Sequence, residues 1–170
     1  VEINPESFSY QGFTTLLNID MKFDLPKYLA EQADKSIFVK NVKSVVDFNK
    51  KDSLLRAPYG QQLFEGIVKD STTLTEFEIV KTKLKTEGEK YLQFLKDEKL
   101  DAILSINNYH SGVAAVAKYP TLTIPMGYKK SGEPISLTFI GLPFSERKLL
   151  EMGYAFEQLT KVRKLPKNYQ

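Results

Sequence analysis

The sequence predicts an α/β fold with a mainly helical first half and a strand, hairpin and helix at its carboxyl end. Three patterns carry this. Apolar residues recur at spacings of three, four or seven between Phe77 and Leu95, and beyond Asp101 the period shortens to the alternation of strands. A helical stripe then returns after Ser145, a residue type suited to starting a helix. At 170 residues and 42% hydrophobic content the chain has the size of one ordinary domain and enough apolar side chains for a core. One unit is therefore expected over residues 1–170, helical over 1–100 and built of strands plus a final helix over 101–166.

In chain order, Leu16, Leu17, Met21 and Phe23 suggest a helix from about Thr14. It is expected to break near Pro26, because proline lacks the amide proton and clashes with the preceding turn. Pro26 can equally start a second short helix with Tyr28 and Leu29 inward. "VKSVVDFNKKD" reads as another short helix, and Ala57 to Gly60 as a turn feeding "QQLFEGIVKD". Thr73 and Glu76 have the spacing of a capping box, in which each side chain satisfies a free amide of the first turn. Phe77, Val80, Leu84, Tyr91 and Leu95 then form one stripe, with Gly88 marking a close packing contact.

"DAILSI" is a short apolar run of the kind found in strands covered on both faces. Leu122, Ile124 and Met126 alternate with polar positions, as do Ile135, Leu137 and Phe139, and the "GYKKSGE" between them suits an antiparallel hairpin. Ser145 and Glu146 open the last helix, with Leu149, Met152, Phe156 and Leu159 inward and Pro166 after its end. Three strands with this much apolar character make a poor sheet alone, so neighbouring strands are expected outside this sequence.

Charge and composition exclude several classes. The 24 Lys and Arg are scattered among 21 Asp and Glu, and the net charge is only +3, so the clustered cations of a nucleic-acid partner are missing. With no cysteine there is no disulfide, thiolate metal site or cysteine nucleophile. No apolar run approaches the ~20 residues needed to span a bilayer, so no membrane partner and a cytoplasmic location are expected.

Chemistry is sparse. His110 is the single histidine, and its neighbour Ser111 is badly placed to be its nucleophile, since adjacent side chains usually diverge. Neither a G-x-S-x-G elbow nor a phosphate-binding glycine loop occurs. Asp97, Glu98 and Asp101 read as a solvated corner between helix and strand, so no metal and no cofactor are implied. "SINNYHSG" differs in kind: it follows the end of a strand, where α/β proteins commonly place binding loops. Asn107, Asn108, Tyr109 and His110 are the candidate substrate-binding residues, because small-molecule sites need a few convergent polar groups.

The carboxyl-terminal third resembles the end of the amidase signature family. Asp101-Ala102, the alanine-rich turn into Tyr119-Pro120, Thr123-Ile124-Pro125, Gly132-Glu133-Pro134, Phe139-Ile140-Gly141, Ser145-Glu146 and Tyr154-Ala155-Phe156-Glu157-Gln158 stand in the family's order. Upstream, "DMKFDLPKYL", Phe48-Asn49 and Tyr59-Gly60-Gln61 are similar to further family landmarks. The resemblance implies part of a large mixed sheet flanked by helices, in a hydrolase of carboxamide C–N bonds. It also implies a serine nucleophile, a second serine in a cis peptide and a lysine, lying in a glycine- and serine-rich half that this sequence does not contain. No catalytic residue carries over, and the chain alone is expected to be inactive, a carboxyl-terminal portion that packs on the rest of its protein. Val1 in place of Met fits such a cut end. The partners implied are a small-molecule amide and, for the chain by itself, another copy through self-association. Where many members have Pro-Thr, this sequence has Asn107-Asn108. The A subunit of an amidotransferase that works on charged tRNA is a second reading, less well matched because "QQLFEGI" replaces the basic run usual after the Tyr-Gly landmark. A stand-alone binding or structural module is a third.

Overall fold

Pro26 does not end the first helix. In the computed structural model, which describes residues 7–165, α1 (Phe13–Glu31) continues past it. A proline inside a helix costs about 3 kcal/mol, and here outside contacts hold the helix. Ile19 is buried, Lys22 Nζ donates to Asp70 O at 2.7 Å, and Asn18 Nδ2 donates to Asp70 Oδ2 at 3.0 Å. Tyr28, expected inward, is exposed, and so are Leu17, Met21 and Phe23.

Next come α2 (Val42–Lys50), α3 (Ser53–Arg56) and α4 (Gln62–Lys69). The start of α2 is fixed by a reciprocal cap: Ser44 N donates to Asn41 Oδ1 at 2.9 Å and Asn41 N donates to Ser44 Oγ at 3.0 Å. Val42 and Val46 of α2 and Ile67 of α4 are buried, and α1, α2 and α4 pack on one another. Helix α5 (Leu74–Tyr91) opens with the expected box, Thr73 N donating to Glu76 Oε2 at 2.8 Å and Glu76 N to Thr73 Oγ1 at 3.3 Å.

By its internal contacts the chain forms two compact units. One is Tyr10–Lys83, and the other joins, among the described residues, 84–165 with 7–9, so the boundary falls within α5. The stripe of α5 is correct at Phe77 and Leu84, both buried, but the helix stops at Tyr91 and Leu95 sits in a separate turn, α6 (Phe94–Asp97).

The second unit is built on a three-stranded antiparallel sheet in the order β1-β3-β2, from β1 (Ile103–Ile106), β2 (Thr121–Tyr128) and β3 (Pro134–Ile140). The expected hairpin joins β2 to β3, with a bulge between Pro125 and Gly127. Helix α7 (Ser111–Ala117) leads from β1 to β2, and α8 (Glu146–Thr160) follows β3. Neighbours on a strand face opposite ways. Ile140 joins Leu92, Leu95, Val113, Ala114 and Ala117 in the core, while Phe139 meets Phe156 of α8 edge-on, with ring centroids 6.4 Å apart. The row Ser105, Thr138 and Thr123 lies in register across the strands, and so does the row Leu104, Phe139 and Leu122.

Three expectations fail here. β1 is not covered on both faces, since Leu104 and Ile106 are exposed. On α8, Leu149 is buried and Phe156 half-buried, but Leu159 is exposed. Ser145 holds the cap position without a capping bond, because its hydroxyl donates back to Leu142 O at 2.6 Å. At the three exposed leucine and isoleucine positions the apolar pattern marks a side chain suited to burial, and the described residues supply no neighbour to cover it. Pro166 lies outside the described residues.

Candidate functional site

The loop after β1 is shaped by Asn107. Its φ of 51° lies in the left-handed region, which asparagine enters more easily than most residues. The turn is tied to β3 from both sides: Asn107 N donates to Ser136 O at 2.8 Å, and Ser136 N donates to Asn107 Oδ1 at 3.0 Å. Buried Thr138 adds a third link, its hydroxyl donating to Asn107 O. The side-chain oxygen of Asn107 is thus occupied in holding the loop to the sheet.

Beyond this anchor the chain enters α7. Ser111 Oγ donates to Asn108 O at 2.7 Å, and Ala114 N donates to His110 O at 3.3 Å. Asn108, Tyr109 and His110 are exposed, and the side chains of Asn108 and Tyr109 make no hydrogen bond among the described residues. Three of the four candidate residues therefore present exposed polar groups at one strand end, and the fourth fixes the backbone that carries them.

The histidine's partner is Ser105 rather than Ser111: Ser105 Oγ and His110 Nδ1 are 2.8 Å apart. A search for neighbouring Ser-His pairs overlooks Ser105, which stands five positions away. A signal for it exists in the alternation of β1, which places a lone hydroxyl between two apolar positions, facing inward. Among the described residues no carboxylate bonds the His110 ring, and Ser105 is buried, so the geometry orients a ring and does not expose a nucleophile.

Elsewhere, Lys148 Nζ pairs with Asp101 Oδ1 and Gln93 Nε2 donates to Asp97 Oδ1 at 3.0 Å. Among the described residues no group of three or more His, Cys, Asp or Glu is placed to hold a metal ion. Phe144 carries no signal in the sequence pattern; it stands almost fully exposed at φ 64°, beside a groove lined by Leu100, Leu142, Arg147 and Glu151.

No family model matches the chain. Individual proteins do. A probable amidase from Arabidopsis thaliana is 32% identical over 159 residues, 92% of this chain and 31% of the relative. The crystal structure of an amidase family protein from Bacillus anthracis superposes with a TM-score of 0.85 at 37% identity, covering 98% of this chain and 32% of that one. The A subunit of the glutamyl-tRNA(Gln) amidotransferase from Thermodesulfovibrio yellowstonii is 35% identical over 72 residues, 40% of this chain and 14% of the relative. The chain thus spans about a third of the amidases it matches over nearly all of its own length. The landmarks from Asp101 to Gln158 and the likeness of the whole described fold agree: this chain belongs to the amidase signature family.

Proposed function

We propose that this chain is the carboxyl-terminal portion of an amidase that hydrolyses carboxamide C–N bonds. In this reading it forms scaffold and one wall of the substrate pocket. Asn108, Tyr109 and His110 face a small amide, Asn107 sets the loop, and the rest of the protein supplies the serine nucleophile, the cis serine and the lysine. The observation that carries it is the match of nearly the whole chain to about a third of an amidase structure. Exposed Leu104, Ile106 and Phe144 support it as surfaces that the rest of the fold would cover. The amidotransferase reading is less well supported, because that likeness stops at 72 residues.

Ammonia release provides the test. The purified chain should release none from simple carboxamides at any pH, and the chain combined with the remainder of an amidase should do so. Turnover by the chain alone that is abolished by Ser111→Ala would overturn this reading.

A further inference from the structure

We propose that Ser105 is a positioning residue that holds the His110 imidazole with its proton on Nε2, so that His110 offers a hydrogen-bond donor to the carbonyl oxygen of a carboxamide. The identity of the ligand rests on the amidase reading; the state of the ring does not.

Each hydroxyl of the row has one proton to place. Thr138 Oγ1 has one proton, and it goes to Asn107 O, which can only accept. Thr123 Oγ1, 2.7 Å from Thr138 Oγ1, must then be the donor of that pair. Ser105 stands opposite Thr138 in the register, is 4% exposed, and has His110 Nδ1 as the partner of its hydroxyl among the described residues. Were the ring to donate instead, the serine proton would be left buried without an acceptor. An unsatisfied buried donor is unfavourable enough to decide between the two arrangements. Ser105 therefore donates, Nδ1 accepts, and the neutral ring carries its proton on Nε2.

That nitrogen is free to act outward. His110 is exposed, and among the described residues its ring has no hydrogen bond besides the one to Ser105. Its backbone is held by Ala114 N, and the loop behind it by the Asn107 links to Ser136. A fixed N–H suits an acceptor such as the carbonyl oxygen of an amide and has nothing to offer an ammonium group.

Because the chain has one histidine, its ring resonances are unambiguous in a ¹⁵N-labelled sample of the full chain. At alkaline pH the wild type should show Nδ1 as an acceptor and Nε2 protonated, Ser105→Ala should show exchange between tautomers, and Ser105→Thr should restore the wild-type pattern. The backbone amide spectrum reports whether each variant is folded, and the wild-type spectrum tests the assignment even if Ser105→Ala is not. Adding acetamide should then shift the Nε2 signal of the wild type more than that of Ser105→Ala. A wild-type ring with mixed tautomers or its proton on Nδ1 overturns the role of Ser105. A fixed Nε2 proton with acetamide shifts confined to Asn108 and Tyr109 overturns the donor role of His110 and leaves the amidase reading standing. No shift anywhere from Ser105 to Gly112 overturns both the donor role and the placement of the substrate at this loop.

Discussion

Gly88 of α5 packs so closely on α7 that a Cβ built on it would stand 3.2 Å from both the Cβ and the backbone nitrogen of Ala117, and 3.0 Å from Val116 Cγ2. Backbone cannot rotate out of the way as a side-chain end can. Gly88→Val should therefore destabilise the protein by about 1–3 kcal/mol through overpacking. Gly88→Ala should be milder, since a gain of roughly 1 kcal/mol in helix propensity offsets part of the clash. Urea denaturation midpoints measure both; a Gly88→Val variant as stable as wild type would show that the two helices are not locked at this point.

A second prediction concerns the hydroxyl row under the loop. Thr138 is fully buried and both accepts from Thr123 and donates to Asn107 O. Thr138→Val keeps the shape and removes both bonds, so the Asn107 carbonyl loses its Thr138 donor, while the hydroxyl of exposed Thr123 can turn to water. The expected loss is about 1–3 kcal/mol. Faster amide exchange at Asn107 and Ser136 should accompany it, because the same residues tie the turn to β3.

Of these two features, the contact at Gly88 was legible in the sequence and the hydroxyl row was not. The spacing of Thr73 and Glu76, the hairpin of alternating residues and the close contact at Gly88 depend on neighbours a few residues away or on side-chain size, and the structure has all three. Pro26, Leu104 and Leu159 depend on what lies beside them in space, which periodicity does not encode. α1 continues past Pro26 because Asp70, far along the chain, holds its first half, and Leu104 and Leu159 are exposed because the described residues place nothing over them. The loop was legible as a cluster of polar residues, but the partner of His110 was not. Ser105 reaches the ring because Asn107 turns the backbone through positive φ and so folds the histidine back toward the strand it has just left.

Asp70 makes a pH-dependent prediction. Hydrogen bonds from Thr72 and Asn18, with the Lys22 ammonium nearby, hold its carboxyl below the usual carboxylate range. A folded-state value lower than the unfolded one means the contribution is fully present above the unfolded value of about 3.9 and is lost as pH falls through the folded value. Asp70→Asn should cost about 1 kcal/mol near neutral pH, a small figure because the site is only partly buried. Urea midpoints of the two proteins should converge as pH drops below about 4. A constant gap down to pH values where every carboxylate is protonated would show that Asp70 acts by shape alone.

The open edge of β1 gives the last prediction. Among the described residues β1 pairs with β3 alone, so one side of its backbone is unpaired, and Leu104 (59% exposed) and Ile106 (54% exposed) point from the same face beside that edge. Unpaired strand edges with apolar side chains recruit other strands, and natural proteins blunt such edges with lysine. The chain by itself should therefore associate with rising concentration in sedimentation experiments and bind an apolar dye. Leu104→Lys combined with Ile106→Lys should weaken both effects while leaving the circular dichroism unchanged, since neither side chain contributes to the core on the α7 side of the sheet. Monomeric wild-type chain with no dye binding would mean that this edge needs no cover, and would remove one support for placing the chain within a larger amidase sheet.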